Sequence, residues 1–303
     1  MDLLLHLDNM SPVRSLARTK GASPTEFLGG LKHHQETTLR KDLGGATSYG
    51  MNILEKQLSK LKGKTAWITG GKRVGQEVAK ILAEQGMNIV ASYRSSSKEA
   101  EAIVKMAENA GATGLAIQAD VSSRDSMKKA VELVAGKFTS IDILINMASV
   151  FKPVEFGNIT EADWKANIEA HILGTFWPTQ VISAIMPVGS HIINIADRTS
   201  LGKVYKGYLP YVVTKSAVAS MTKAVATELA GRGIFVNAIA PGPILRPDDI
   251  TEKEWAGIRD SSALKYNIDD DEAVAQFALL VLYLSTVTMA SGYVYPLDQG
   301  QNL

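Results

Sequence analysis

The chain has 303 residues, 46% of them apolar, with 32 basic against 31 acidic side chains. That composition is typical of a globular protein long enough to bury a large core. Cysteine is absent from the sequence, which excludes a disulfide framework, a thiolate zinc site and a cysteine nucleophile. A formal charge of +1 at pH 7 without a clustered basic stripe argues against a nucleic-acid partner.

The N-terminal fifty residues differ from the rest of the chain. Residues 1–50 mix glycine with scattered polar side chains and show no helical or strand period. We predict that they form an N-terminal extension, either poorly ordered or upstream of the true start, and that residues 51–303 form the functional domain. His33 and His34 lack the nearby carboxylates typical of a metal site, so we expect no metal.

Neither a membrane span nor an export signal is predicted. A spanning helix needs roughly 18 to 20 continuous apolar residues, and the longest candidate, residues 273–287, contains Gln276 and Ser285. The apolar run at the N-terminus is too short, and has the wrong charge, for a secretory signal. We therefore expect a cytoplasmic protein with no membrane partner.

From Lys64 onward, short apolar runs alternate with helical stretches. This alternation is typical of repeated βαβ units, and it predicts a single-domain α/β fold with a Rossmann-type doubly wound parallel sheet of about seven strands. The predicted strands are Lys64–Thr69, Asn88–Tyr93, Gly114–Ala119, Ile141–Asn146, His191–Ala196, Ile234–Ala240 and Gly292–Leu297.

Long helices are predicted between these strands. The predicted helices are Gly75–Gln85, Lys98–Ala110, Arg124–Phe138, Glu161–Met186, Pro210–Gly231 and Asp270–Thr286.

The segment after Pro241, Ile244–Asp269, is predicted as a substrate loop. Its aromatic and basic residues either contact the substrate or simply pack; these are Arg246, Trp255, Arg259 and Tyr266.

The first predicted strand runs into a glycine-rich turn. Glycines let the backbone approach a pyrophosphate closely, and the amides at the start of the next helix favour its negative charge. A plain tight turn is the alternative, but a strand precedes this one and a helix follows it. We therefore predict that a dinucleotide contacts Gly70, Gly71, Lys72, Arg73, Val74 and Gly75.

The end of the second strand predicts which nucleotide is bound. An acidic residue there would bind an unphosphorylated ribose, but this chain has Arg94 followed by Ser95. A guanidinium suits a 2′-phosphate, and Lys72 and Arg73 add two cations at the same end. We predict NADPH (NADP+) as the cofactor; the alternative is that Arg94 is a solvated loop charge.

Tyr211 and Lys215 are four residues apart in a predicted helix, so both address one face of it. A phenol is a weak acid at neutral pH, and a neighbouring ammonium is expected to lower its pKa toward the working range. The pair can then donate a proton to a substrate atom as hydride arrives from a nicotinamide. We predict that both residues are catalytic.

Together these motifs resemble the short-chain dehydrogenase/reductase family, over roughly residues 63–303. The resemblance implies an oxidoreductase that assembles as a homotetramer, a dimer of dimers, through the helices near Glu161 and Pro210. It also implies that Asp120 holds the adenine, that Lys215 also holds the nicotinamide ribose and that other residues line the cofactor. These further residues are Val121, Asn146, Ala148, Ser149, Tyr211, Pro241, Gly242 and Ile244.

Several departures from the family pattern suggest a branch. Asp197 stands where most members have a serine, and Arg73 and Arg94 also resemble the pteridine reductases. An ionised aspartate can hold Tyr211 or a substrate N–H; the alternative for Asp197 is a loop cap. His171 replaces a customary asparagine and serves either a proton relay or helix packing.

The substrate stays open at this point. We favour hydride transfer to the C=N of a pteridine-like heterocycle, with Asp197 as a third catalytic residue. A 3-oxoacyl thioester or another small ketone is the alternative substrate. An alternative of another class is a non-catalytic NADP(H)-binding sensor or assembly protein.

Overall fold

The structure is a computed structural model, and it describes residues 53, 55–247, 250–265 and 268–303, with the backbone alone at 72 and 73. Residues 58–303 form one compact unit. The predicted extension, residues 1–50, lies outside the described residues. Among the residues that are described, no helix has the length and apolar character needed to cross a bilayer.

Seven parallel strands form one sheet in the order β3-β2-β1-β4-β5-β6-β7, which confirms the predicted fold class. Every strand has its predicted counterpart, and β2 coincides with its prediction. The strands are β1 Thr65–Gly70, β2 Asn88–Tyr93, β3 Gly114–Gln118, β4 Ile143–Met147, β5 His191–Ile195, β6 Phe235–Pro241 and β7 Val294–Leu297.

Helices cover both faces of the sheet. Side chains of β1 alternate between two apolar clusters: Trp67 packs in one, whereas Ala66 and Ile68 pack in the other. All three are fully buried. The helices are α1 Lys72–Glu84, α2 Ser97–Asn109, α3 Arg124–Ala135, α4 Glu161–Asn167, α5 Gly174–Ser183, α6 Leu209–Leu229, α7 Glu252–Asp260 and α8 Asp270–Leu284.

The helix predicted for Glu161–Met186 is present from Glu161 to Ser183, but it is not α-helical throughout. A π-helical segment, Ile168–Leu173, separates α4 from α5. Pro178 lies inside α5, where it lacks the N–H that would bond to the carbonyl of Gly174. Before this proline, the amide of Gly174 donates to the carbonyl oxygen of Glu169, five residues back, whereas an α-helix would pair it with the residue four back. The shift in hydrogen bonding places His171 in the widened turn.

The predicted substrate loop is also not wholly irregular, because it contains α7. Thr251 caps this helix, and Glu254 bonds back to Thr251 in a reciprocal capping box. The signature Thr-x-x-Glu is visible in the sequence and could have located this helix.

Because all strands are parallel, their carboxyl ends meet at one edge of the sheet. The strand order reverses between β1 and β4, whose last residues Gly70 and Met147 are register partners. Open α/β sheets bind ligands outside such a switch point. The cavities described next open there.

Candidate active site

A cavity of about 520 Å³ follows the carboxyl ends of β1 to β4. Gly70 and Gly71 line it in the left-handed backbone region, at φ 68° and 83°. A Cβ on Gly70 would lie 2.9 Å from Ala148 Cα, and one on Gly71 would lie 2.7 Å from Met147 Sδ. Only glycine fits both positions, and Gly71 leads directly into α1, whose first amides have no partner within the helix.

Charged and polar side chains line the same cavity away from the glycines. Arg94 and Ser95 lie at the end of β2, as predicted, and Asp120 and Val121 follow β3. One carboxylate oxygen of Asp120 accepts hydrogen bonds from the amide and hydroxyl of Ser122, at 2.9 and 2.7 Å. This end of the cavity offers a guanidinium and hydroxyls to an anionic group. The side chains of Lys72 and Arg73 lie outside the described residues.

Of the predicted cofactor residues whose side chains the structure describes, two line neither cavity of the site. Asn146 is buried, and its amide donates to Thr179 at 3.0 Å and to Asn194 at 2.9 Å. Gly75 lies inside α1, where a Cβ would be 3.3 Å from Ile103 Cδ1. These contacts show that Asn146 ties β4 to its neighbours and that Gly75 lets α1 and α2 pack closely. Direct contact of either residue with the cofactor stays a prediction that this geometry does not favour.

A second cavity, of about 1080 Å³, adjoins the first and shares Gly71, Met147 and Ser149 with it. The three predicted catalytic residues line it together, and so do Val74 and the turn after β6. Asp197 follows β5, whereas Tyr211 and Lys215 lie in the first turns of α6. The remaining predicted residues in its wall are Pro241, Gly242 and Ile244.

Tyr211 is directed toward Asp197. Its hydroxyl donates to Asp197 Oδ2 at 2.8 Å, and the ring is 7% exposed. Burial first, and then the carboxylate charge of Asp197, raise the pKa of Tyr211 well above 10. The expectation that Lys215 lowers the pKa of this phenol is therefore wrong for this arrangement. The phenol holds its proton in the hydrogen bond to the carboxylate.

Asp197 serves both of the roles considered for it. Its Oδ1 accepts from the amide and hydroxyl of Thr199, at 2.9 and 2.8 Å, and so caps the turn after β5. Tyr205 also donates to this carboxylate, at 3.2 Å. Both oxygens accept hydrogen bonds, and Oδ2 accepts from Tyr211 at 2.8 Å and from Tyr205 at 3.4 Å. Asp197 therefore caps a loop and also orients the phenol.

The ammonium of Lys215 points toward the end of β5. Nζ donates to the carbonyl oxygen of Ile195 at 2.7 Å and lies 5.9 Å from the centroid of the Tyr211 ring. Burial lowers the pKa of Lys215 from 10.5 to about 8, although the charge of Asp197 acts in the opposite direction. Lys215 is thus a buried cation facing the cavity of Tyr211 that loses its proton in an accessible pH range.

Aromatic rings form one wall of the second cavity, and sequence reasoning did not identify this role. Phe151 stacks on Tyr208 with ring centroids 4.5 Å apart and meets Tyr211 edge to face at 4.9 Å. Tyr205 completes the cluster, edge to face with Phe151 at 6.4 Å. These residues come from two segments distant in sequence, so no local pattern predicts their contact.

The substrate segment also lines this cavity, and α8 holds it in place. Trp255 lines the cavity, and its indole N–H donates to Asp270 Oδ1 at 2.9 Å. Arg259 donates to the same oxygen at 2.8 Å and to the carbonyl of Ile268. The packing alternative therefore applies to Arg259. Tyr266 lies outside the described residues.

No group of metal-ligating side chains occurs in the described part of the chain, so the prediction of no metal is untested rather than contradicted. The fit of a dinucleotide rests on the two adjoining cavities and on the glycine cradle that a Cβ would fill. A family model described as enoyl-(acyl carrier protein) reductase matches residues 71–302. The chain belongs to the short-chain dehydrogenase/reductase family.

Curated relatives place it among reductases of this family. The chain is 36% identical over 186 residues to the 3-oxoacyl-[acyl-carrier-protein] reductase FabG of Staphylococcus epidermidis, covering 60% of this chain and 75% of that protein. It is 34% identical over 198 residues to the 3-oxoacyl-[acyl-carrier-protein] reductase of Synechocystis, covering 64% and 79%. The chain is therefore an oxidoreductase of the short-chain dehydrogenase/reductase type.

Solved structures agree in fold. A short-chain dehydrogenase from Burkholderia cenocepacia in complex with NADP is 28% identical, with a TM-score of 0.73, and covers 80% of this chain and 99% of its own. A blue fluorescent protein from a metagenomic library in complex with NADPH is 29% identical, with the same TM-score and the same coverage. These findings bear out NADP(H), the cofactor predicted from the sequence.

Proposed function

We propose that this short-chain reductase uses NADPH to reduce the ketone of a 3-oxoacyl thioester, or of a related small ketone, to an alcohol. The observation that carries the proposal is the placement of Tyr211 and Lys215 in one cavity that continues into the glycine cradle. The two reductases named above support the substrate class. Apolar residues that line this cavity, among them Leu245 and Ile250, give an acyl chain a surface to pack on.

The side chains supply the proton for this reaction. NADPH, when bound, would supply the hydride for the carbonyl carbon, so that the carbonyl oxygen takes up a proton. Tyr211 donates its phenolic proton to that oxygen, and the O–H bond of the phenol breaks as the alcohol forms. The cation of Lys215 offsets the negative charge left on the phenol. The raised pKa keeps Tyr211 in the protonated form that can donate, but it also makes the phenol a weaker acid than a free one.

A pteridine-like heterocycle is the second candidate substrate. Asp197 takes the place of a neutral hydroxyl donor and offers only acceptor atoms, which suit a ring N–H. The stacked pair Phe151 and Tyr208 borders the same cavity, where a flat ring can lie against it. In this case the hydride adds to the carbon of a C=N bond, and the proton goes to its nitrogen.

A substrate panel separates these candidates. Consumption of NADPH and of NADH is followed by absorbance with acetoacetyl-coenzyme A and with 7,8-dihydrobiopterin. We expect turnover of the thioester with NADPH, whereas turnover of the pterin alone favours the second candidate. Asp197→Ser is expected to improve ketone reduction and to abolish any pterin activity; if neither activity changes, Asp197 is only a cap. Tight NADPH binding without turnover of any compound favours the non-catalytic sensor.

The predicted quaternary structure and location belong to the same proposal. Assembly as a homotetramer through the helices near Glu161 and Pro210, and a location in the cytoplasm, follow only from the resemblance and from the sequence. Size-exclusion chromatography with light scattering tests the first, and a tagged full-length chain in its own cell tests the second.

A further inference from the structure

His171 lies beside the active site with each ring nitrogen against a hydroxyl group. Nδ1 is 2.8 Å from Thr214 Oγ1, and Nε2 is 2.9 Å from Ser149 Oγ. The backbone N–H of Val150 also points at Nε2, at 3.3 Å. The imidazole is 1% exposed. Its neighbours therefore decide which nitrogen carries the proton.

Backbone groups at both ends of this hydrogen-bonded chain have fixed roles. An amide N–H can only donate, so Nε2 accepts from Val150 and carries no proton. Nδ1 then carries the proton and donates to Thr214, which in turn donates to the carbonyl oxygen of Pro210 at 2.7 Å. The other tautomer would lose both backbone hydrogen bonds.

The doubly protonated ring is disfavoured as well. Burial first, and then the charge of Lys215, lower the pKa of His171 from 6.5 to about 3. The imidazole is therefore neutral at neutral pH, in the single tautomer that the backbone selects.

This tautomer determines what Ser149 offers to a ligand. Because Nε2 has no proton, the 2.9 Å contact requires the Ser149 hydroxyl to donate to it. The hydroxyl hydrogen then points at His171, and only the lone pairs of Oγ remain for the cavity. Ser149 is exposed and lines both cavities.

We propose that His171 is a positioning residue that fixes the Ser149 hydroxyl as a hydrogen-bond acceptor at the junction of the two cavities. There Ser149 Oγ accepts a hydrogen bond from an N–H or O–H group of the bound ligand. This inference rests on the proposed function. Two sources carry such a group. One is NADPH, through a ribose hydroxyl or its carboxamide. The other is a substrate with a ring N–H, because a 3-oxoacyl carbonyl offers no donor.

The test is a double-mutant cycle of NADPH binding, read from nicotinamide fluorescence without any turnover. For the first source, Ser149→Ala is expected to raise the Kd about 3- to 10-fold, the loss of one neutral hydrogen bond. His171→Asn leaves Ser149 free to rotate and is expected to raise the Kd about 2- to 5-fold. The double variant is expected to match Ser149→Ala alone, because His171 acts only through Ser149.

A matched control is Ser122→Ala, which removes another hydroxyl of the first cavity, bonded to Asp120 and not to His171. In the double variant, the fold-changes of Ser122→Ala and His171→Asn in the NADPH Kd are expected to multiply. The Kd of the wild type should also stay constant between pH 5 and 7, where an ordinary histidine would titrate and Lys215 stays largely protonated. His171→Gln serves as the second variant if His171→Asn does not fold.

The two sources are distinguished by KM. If the donor belongs to the substrate, the NADPH Kd stays unchanged and both variants raise the KM for 7,8-dihydrobiopterin, but not for acetoacetyl-coenzyme A, with the same non-additive pattern. Additive effects of the two variants, or no effect of Ser149→Ala on either ligand, would overturn the inference. Absence of turnover with every substrate would reject the proposed function but leave the NADPH cycle to decide this one.

Discussion

Lys215 gives the sharpest test of the site, because its burial links activity to pH. Its pKa is lowered to about 8, so the fraction that carries a proton falls from about ten in eleven at pH 7 to about one in eleven at pH 9. If the cation holds NADPH and offsets the charge on Tyr211, kcat/KM for NADPH, which reports the free enzyme, should fall about tenfold between these pH values.

Replacement of Lys215 by arginine separates charge from shape. A guanidinium stays protonated to above pH 12, so Lys215→Arg is expected to have lower activity but no loss between pH 7 and 9. The NADPH Kd, measured by fluorescence, should show the same contrast and does not need turnover. A fall between pH 7 and 9 that persists unchanged in Lys215→Arg, or no fall in the wild type, would refute the role of this cation.

The same burial also predicts that the charge of Lys215, although it supports activity, lowers the free energy of unfolding. At about 1.4 kcal/mol for each pH unit of pKa change, the fall from 10.5 to about 8 costs the folded state about 3 kcal/mol. Below pH 8 the full penalty applies, and between pH 8 and 10.5 it shrinks, because the folded protein releases the proton first. Lys215→Met removes the penalty and also the hydrogen bond to Ile195.

We therefore expect the free energy of unfolding of Lys215→Met at pH 7 to exceed that of the wild type by about 1 to 2 kcal/mol, after about 1 to 2 kcal/mol for the lost hydrogen bond. The gain should shrink as the pH approaches 10.5. Urea unfolding at pH 7 and at pH 10 measures both. If Lys215→Met were less stable than the wild type at pH 7, burial of the charged lysine would not carry the expected desolvation cost.

Three further predictions follow from other contacts. Arg94→Asp should weaken NADPH binding about 10- to 100-fold without weakening NADH binding, because an acidic residue there suits an unphosphorylated ribose; equal effects on both would mean a solvated loop charge. Asp270→Asn should raise KM for the ketone several-fold at unchanged NADPH Kd, because it weakens the hydrogen bonds that hold Trp255 and Arg259; an increase in the NADPH Kd with an unchanged KM would refute this. Since burial lowers the pKa of His191 to about 4 and that of His171 to about 3, each should lower the unfolding free energy by about 2 kcal/mol from pH 7 to 5, so His191→Phe should halve the total fall, as urea titrations can show.

The strands could be predicted almost to the residue, whereas parts of the helical layer could not. Runs such as Asn88–Tyr93 are apolar and bounded by glycine or polar residues, and such runs are distinctive. The π segment Ile168–Leu173 differs from an α-helix only in its hydrogen-bond step, which leaves no trace in the apolar period. The capping box at Thr251 is readable from the sequence, although the segment around it is predicted as a loop.

The site shows a similar division. Spacing correctly places Tyr211 and Lys215 on one side of α6, but the phenol is directed by Asp197, just after β5, and the ammonium by the carbonyl of Ile195, the last residue of β5. Sequence spacing cannot show that the phenol turns to Asp197 while the ammonium bonds to a strand carbonyl. The contact of Phe151 with Tyr208 joins positions more than fifty residues apart and needed the folded chain.

The central claim is that the phenol of Tyr211 donates the proton in an NADPH-dependent reduction. The most direct measurement is single-turnover oxidation of enzyme-bound NADPH by acetoacetyl-coenzyme A in the wild type and in Tyr211→Phe. We expect the rate to fall at least about 100-fold with the NADPH Kd within about twofold of the wild type. A variant that oxidises NADPH within a few-fold of the wild-type rate would contradict the account.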